Sequence, residues 1–186
     1  SIGIGPFKTQ QQIDNTLSAL EKADYITVRD KKSYRYIQKE FDNKAFLSID
    51  PVFLLDDAER KTIMPNQEKV ISVCIIDLML NKSKSRYYKK YISNFTRLVG
   101  LLSEDGYKVN LFSTEPRDYT AVYKVFHNLQ KRDNIEVVEI ADFNDLMNLY
   151  YDTDLIIGTR MHSLIIGISQ NIPVIGLSWQ DKVNEM

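Results

Sequence analysis

The segment Leu155-Ile-Ile-Gly-Thr-Arg-Met-His-Ser163 puts an arginine and a histidine where an apolar strand gives way to an apolar helix. The run before Gly158 reads as a buried strand, and Leu164, Ile165, Ile166 and Ile168 continue as a helix. A helix start presents backbone N–H groups and a partial positive charge. Arg160 adds a permanent cation whose fork fits phosphate or carboxylate. His162 adds a group that titrates near neutrality. Together they suit an anion with a proton-transfer group beside it, with Arg160 and His162 as candidate catalytic residues and Thr159 and Ser163 flanking them. The competing reading pairs Arg160 with a surface carboxylate and makes His162 a helix cap.

Arg29-Asp30 occupies a similar junction nearer the start of the chain, with Ser33 one turn later. It offers a second cation facing the same cleft, with Asp30 fixing the loop, or else a helix cap beside a solvated arginine. Lys182, after Ser178-Trp-Gln-Asp181, and Lys82, Lys84 and Arg86 read by default as exposed cations. Their places after strands also allow an anion contact. His127, between Phe126 and Leu129, reads as structural. Gly3 and Gly5 do not make a dinucleotide fingerprint, and no Walker-type loop, cysteine pair or zincin motif occurs. Two histidines so far apart argue against a His-based metal site, so no metal is expected. Asp50 and Asp77 could ligate magnesium, but nothing in the sequence pairs them.

Short apolar runs alternating with amphipathic stretches must position these residues. Strands are expected at Ile2–Gly5, Tyr25–Val28, Ala45–Ile49, Val70–Ile76, Val109–Phe112, Val137–Ile140, Leu155–Gly158 and Pro173–Leu177. Helices are expected at Asp14–Ala23, Lys31–Phe41 with Asp30 as N-cap, a long stretch from Tyr88 to Leu102, Tyr119–Gln130, Phe143–Tyr151 and Met161–Ser169. This alternation implies a parallel sheet with helices on both faces. In such sheets ligands bind beyond the carboxyl ends of the strands, which is where the candidate residues fall. The polar stretch 58–69 reads as a linker between residues 1–57, the tail of an amino-terminal α/β domain, and a carboxy-terminal α/β domain at 70–186. The opening on Ser1-Ile-Gly-Ile-Gly-Pro6 and the stop at Val183-Asn-Glu-Met186 read as a piece of a longer protein.

The 186 residues carry 24 Lys plus Arg against 25 Asp plus Glu, and 44% are hydrophobic. This is a globular composition, which excludes disorder and low-complexity classes. The balanced charge argues against a general nucleic-acid binder. Cys74 is the single cysteine, so no intrachain disulfide forms, and a reducing, cytoplasmic setting fits. No apolar stretch approaches the ~20 residues that span a bilayer.

Four segments resemble the polysaccharide pyruvyl transferases: Gly3-Ile-Gly-Pro-Phe7; Ile26-Thr-Val-Arg-Asp30 with Ser33; Asp50-Pro-Val-Phe-Leu54; and Gly158-Thr-Arg-Met-His162 through Asn171-Ile-Pro-Val-Ile175 to Asp181-Lys182. Their order and spacing are similar to the family's over nearly the whole chain. The resemblance implies a GT-B-like fold of two Rossmann-like domains. It implies transfer of the enolpyruvyl unit of phosphoenolpyruvate to a sugar or lipid-linked glycan acceptor as a ketal, with release of phosphate. No further cofactor is implied, and association with membrane-bound glycan machinery is compatible with it. Carried over by position, Arg160 and His162 are catalytic, and Gly5, Arg29, Asp30, Ser33, Thr159, Ser163 and Lys182 bind substrate. The family's Gly- and Asn-rich opening segment is not in this chain. Two other readings stand beside this one: a GT-B glycosyltransferase or sugar epimerase acting on a nucleotide sugar, and a non-catalytic binding domain.

Overall fold

The computed structural model describes residues 3–5, 7–41, 45–55, 68–80 and 87–177. The chain divides into two compact units, Ser1–Leu55 and Asp56–Met186. Most of the expected linker, and all of Lys82, Lys84, Arg86 and Lys182, lie outside the described residues.

In the first unit, α1 (Gln10–Glu21) precedes β1 (Ile26–Val28), α2 (Lys31–Glu40), β2 (Ala45–Leu47) and a 3-10 turn at Pro51–Leu54. The two strands pair in parallel, with Ile26 opposite Ala45. Ile26, Val28, Ile37 and Ala45 are the buried core. α1 starts earlier than its apolar spacing suggests, because Thr9 accepts a hydrogen bond from the Gln12 amide and three glutamines extend the first turn. Residues 3–5, expected to end a strand, lie in neither sheet. The Ile4 amide instead donates to Ser33 Oγ at 2.7 Å.

The second unit holds β3 (Val70–Cys74), α3 (Tyr88–Glu104), β4 (Lys108–Phe112), α4 (Tyr119–Asn128), β5 (Ile135–Val137), α5 (Phe143–Tyr151), β6 (Leu155–Gly158), α6 (Met161–Ser169) and β7 (Val174–Gly176). The sheet order is β5-β4-β3-β6-β7, and every pairing is parallel. The chain winds outward from β3 to one edge, then returns to β6 and winds to the other. The expected α/β fold with a doubly wound parallel sheet is therefore present. β3 is buried on both faces, and residues 71–78 are shielded without a break. Tyr88, Ile92, Phe95 and Val99 turn the inner stripe of α3 onto the sheet. Gly106, with φ +86, ends that helix in the left-handed region that glycine enters without penalty.

The third strand is displaced from its expected place at Val137–Ile140. Ile135 pairs with Val109, and Asn134 donates through Nδ2 to the carbonyls of Ser103 and Tyr107, which fixes the strand's entry. The Ile140 amide then donates to the Tyr119 hydroxyl at 2.8 Å, so residues past Val138 leave the ladder. Alternation in Ile135-Glu-Val-Val-Glu-Ile140 supports either register, and only the tertiary partners decide.

Gly158 joins β6 to the candidate site. A Cβ there would lie 2.9 Å from Ser163 Oγ and 3.0 Å from Leu164 Cδ2. The missing side chain is what lets the first turn of α6 close on the strand. Gly158→Ala should therefore cost about 1–3 kcal/mol by overpacking, read as a lower denaturant midpoint. An unchanged midpoint would mean that α6 shifts freely.

Candidate functional site

β3 and β6 are neighbours whose onward connections run to opposite edges of the sheet. The crevice outside their carboxyl ends is the topological switch point, where open α/β sheets bind ligands. Ile75–Asp77 from β3, Ser113 from β4 and Thr159–His162 from β6 all arrive at this end.

The chain after β6 is fixed by buried hydroxyls. The Thr159 amide and Oγ1 both donate to the Cys74 carbonyl, at 3.2 and 3.1 Å. The Tyr91 hydroxyl lies 3.5 Å from Thr159 Oγ1 and accepts from the Ile76 amide at 3.1 Å. Burial pushes the Tyr91 phenol well above its usual range, so it stays neutral. Ser163 Oγ donates to the Arg160 carbonyl at 2.6 Å, and the Tyr150 hydroxyl donates to the Ser163 carbonyl at 2.7 Å. Thr159 and Ser163 are buried. Their hydroxyls, expected to contact substrate, are turned into the fold and shape the loop from within.

Arg160 is the N-cap residue of α6 and makes no side-chain cap bond. Its guanidinium instead meets Asp118, with Nε and Nη2 donating to Oδ2 at 2.8 and 2.6 Å. Asp118 is completely buried, and the Arg160 side chain is 20% exposed. Among the described residues Nη1 has no hydrogen-bond partner, so that edge of the fork can meet an anion. The competing reading pairs Arg160 with a surface carboxylate; the partner found is a core group.

Asp118 ties three strand ends together. Its Oδ1 accepts the Asp77 amide at 3.0 Å, and its Oδ2 also accepts Ser113 Oγ at 3.1 Å. β3, β4 and β6 thus converge on one carboxylate. An acid at the start of a helix reads as a cap, and Asp118 does stand at the N-cap of α4, yet it makes no cap bond. Sequence reasoning missed it for that reason. The one available signal was its place just past the β4 end, after Pro116.

His162 is the second residue of α6 and is exposed, between buried Met161 and Ser163. The cap position belongs to Arg160, so the capping alternative for His162 does not hold. His127 is also exposed, with its ring stacked on Tyr123 at a centroid distance of 6.0 Å. Its place is on the surface of α4, not in a core.

The first unit uses the same device. Arg29 follows β1, and its Nη1 pairs with Asp50 Oδ2, a buried carboxylate just past β2. Asp50 Oδ1 also accepts the Val52 amide at 3.2 Å and so caps the 3-10 turn. Asp30 caps α2, its Oδ1 accepting the Ser33 amide and its Oδ2 the Ser33 hydroxyl, both at 2.7 Å. Ser33 is buried, so both residues hold the loop around Arg29 in place. A Cβ on Gly3 would lie 3.2 Å from Asp30 Oδ2, and Gly5 has φ +80. Among the described residues, no group of His, Cys, Asp or Glu is placed to hold a metal.

Cys74 lies beneath the Thr159–Arg160 turn. Burial pushes its thiol up from the usual 9.0 to about 11, against smaller opposing effects from Ser163, Thr114 and Arg160. The unfolded chain ionises first, so stability is full below pH 9.0 and falls as pH rises towards about 11. Iodoacetamide at about pH 8 should leave the native protein unmodified and label it once denatured. Cys74→Ala should flatten the alkaline loss of stability. Rapid native labelling would contradict this placement.

The sequence model of the family described as polysaccharide pyruvyl transferase matches residues 1–181. No curated protein sequence matches significantly. Among solved structures, accessory secretory protein 1, 2 and 3 of Streptococcus pneumoniae aligns at TM-score 0.57 and 18% identity, over 90% of this chain and 33% of that one. UDP-GlcNAc 2-epimerase of Neisseria meningitidis aligns at 0.56 and 10%, over 94% and 50%. The Methanocaldococcus jannaschii UDP-GlcNAc 2-epimerase aligns at 0.53 and 11%, over 83% and 45%. These likenesses establish a GT-B-like fold. The chain spans between a third and a half of each of these structures. No described helix is long and apolar enough to cross a membrane.

Proposed function

The chain belongs to the polysaccharide pyruvyl transferase family, and from that premise we propose that the protein transfers the enolpyruvyl unit of phosphoenolpyruvate to a sugar of a cell-surface polysaccharide precursor, as a ketal. The observation that carries this reading is the Arg160 fork. It is held side-on by buried Asp118 at the switch point, with Nη1 left over for an anion.

Phosphoenolpyruvate carries a phosphate and a carboxylate. Arg160 takes one of them on its outer edge, and the first-turn amides of α6 add oriented dipoles to the same anion. Arg29, itself set by Asp50, is assigned to substrate binding by family position. Lys182 is assigned to the donor by family position alone. Asp118 offsets part of the Arg160 charge, so a trianionic donor needs further cations.

The reaction adds two sugar hydroxyls across C2 of the donor. A proton is delivered to C3, which turns the methylene into a methyl group. The first hydroxyl oxygen bonds to C2, and the C2–O bond to phosphate breaks. The second hydroxyl oxygen then bonds to C2 and closes the ketal. Of the two hydroxyl protons, one balances the proton given to C3 and the other leaves with phosphate. His162, exposed one residue beyond the N1 position of α6, is assigned the proton transfer. The buried hydroxyls of Thr159 and Ser163 serve by fixing the loop. The single buried thiol suits a cytoplasmic reaction, and the acceptor is a sugar or lipid-linked glycan.

The test is phosphate release from phosphoenolpyruvate by the full-length protein across a panel of sugar acceptors. Acceptor-dependent release supports the reading. Inertness towards phosphoenolpyruvate, together with turnover of a nucleotide sugar, would replace it with the glycosyltransferase or epimerase reading.

A further inference from the structure

On the surface of the second unit, α3 and α4 line an open groove of about 590 Å³. Buried Tyr88 forms part of its floor. One wall is Lys89, Ser93 and Arg97, one α3 stripe at successive i,i+4 positions. The facing wall carries Lys124 and Asn128, at the same spacing on α4. Lys124 Nζ sits 4.9 Å from the centroid of the Tyr88 ring, which draws one cation in over the floor.

The lining contains no carboxylate. Among the described residues, Lys89, Arg97 and Lys124 form no ion pair. Neither helix contains an Asp or Glu before Glu104. Three exposed cations along one groove with no carboxylate in its lining give it a positive potential that attracts an anion. Lys89 and Arg97 are eight residues apart, about 12 Å along the helix, so one compact anion cannot meet both. The occupant must carry separated negative charges along an extended chain. Ile92 and the Tyr88 ring make much of the lining apolar, and the side chains along its walls present ammonium, guanidinium, hydroxyl and amide donors, which together suit a hydroxyl-rich polyanion with apolar sugar faces better than a flat lipid surface.

We propose that this groove binds a glycan chain bearing repeated carboxylates, apart from the Arg160 site. The choice of glycan over other polyanions rests on the polysaccharide-modifying reading above. α3 begins at the carboxyl edge of the sheet, so the groove leads from that edge along the helix face. A chain lying in it would hold an acidic polysaccharide to the protein between modification events.

The test measures binding of hexagalacturonate to the full-length protein by calorimetry, against maltohexaose, inorganic phosphate and phosphatidylglycerol vesicles. The expected result is salt-sensitive binding of hexagalacturonate and none of maltohexaose. The triple variant Lys89→Gln, Arg97→Gln, Lys124→Gln should weaken it about tenfold or more while leaving phosphate release with a monosaccharide acceptor unchanged. Arg160→Ala should bind hexagalacturonate as the wild type does, so loss of transferase activity and loss of groove binding are separable. Equal binding of maltohexaose, wild-type affinity in the triple variant, or binding of vesicles or phosphate without hexagalacturonate would each overturn the proposal.

Discussion

Asp118→Ala is expected to lower the stability of the protein by about 3–5 kcal/mol, the scale for breaking a buried ion pair from one side. Four hydrogen bonds end on this carboxylate: two from Arg160 and one each from the Asp77 amide and Ser113. Removing it orphans donors from three strand ends and leaves a largely buried guanidinium without its counter-charge. Arg160 should then turn away from its set position, and under the proposed function affinity for phosphoenolpyruvate should fall as well. Asp118→Asn retains shape and some acceptors and should fall between the two. Urea unfolding and donor titration measure both effects. A double-mutant cycle with Arg160→Ala should give a coupling of at least about 1 kcal/mol, the range for residues sharing a network. Additive effects would show that Asp118 acts on the sheet ends without acting through Arg160.

His162→Gln in the full-length enzyme is expected to lower kcat by about 10²–10⁴, the usual range for a positioned acid–base group. Donor affinity should change far less, because Arg160 and the amides of α6 remain. Arg160→Ala should do the reverse and weaken donor binding strongly. His162 is exposed in α6, so its replacement disturbs little packing, and stability should stay within about 0.5 kcal/mol. Near-normal turnover by His162→Gln with a competent acceptor would remove the proton-transfer role and leave it a binding residue.

Which parts of this picture were legible in the sequence follows from where the information lies. Leu155–Gly158 and Met161–Ser169 were readable to the residue, because an apolar strand and an apolar helix meet at a glycine and an arginine. α5 was equally clear, with Asp142 and Asp145 forming a capping box. The start of α1 was not clear, since polar glutamines carry no periodic signal. The register of β5 was not either, because alternating residues fit two pairings. The local sequence does place Arg29 and Arg160 at strand ends. It gives no hint of their partners, Asp50 and Asp118, which lie 21 and 42 residues away and meet them only through sheet order. The inward turn of Thr159 and Ser163 was hidden for a related reason. A hydroxyl at a helix start fits ligand binding and loop bracing equally, and only burial separates them.

The most direct measurement follows carbon from the donor. The full-length protein would be incubated with phosphoenolpyruvate labelled with carbon-13 at C2 and C3 and with the acceptor that supports phosphate release, and the product read by NMR. Ketal formation predicts a coupled quaternary ketal carbon and methyl carbon on the sugar, formed in equal amount to released phosphate and lost in Arg160→Ala at donor concentrations that saturate the wild type. Label that stays in phosphoenolpyruvate, or appears only as free pyruvate while the sugar is unchanged, would contradict it.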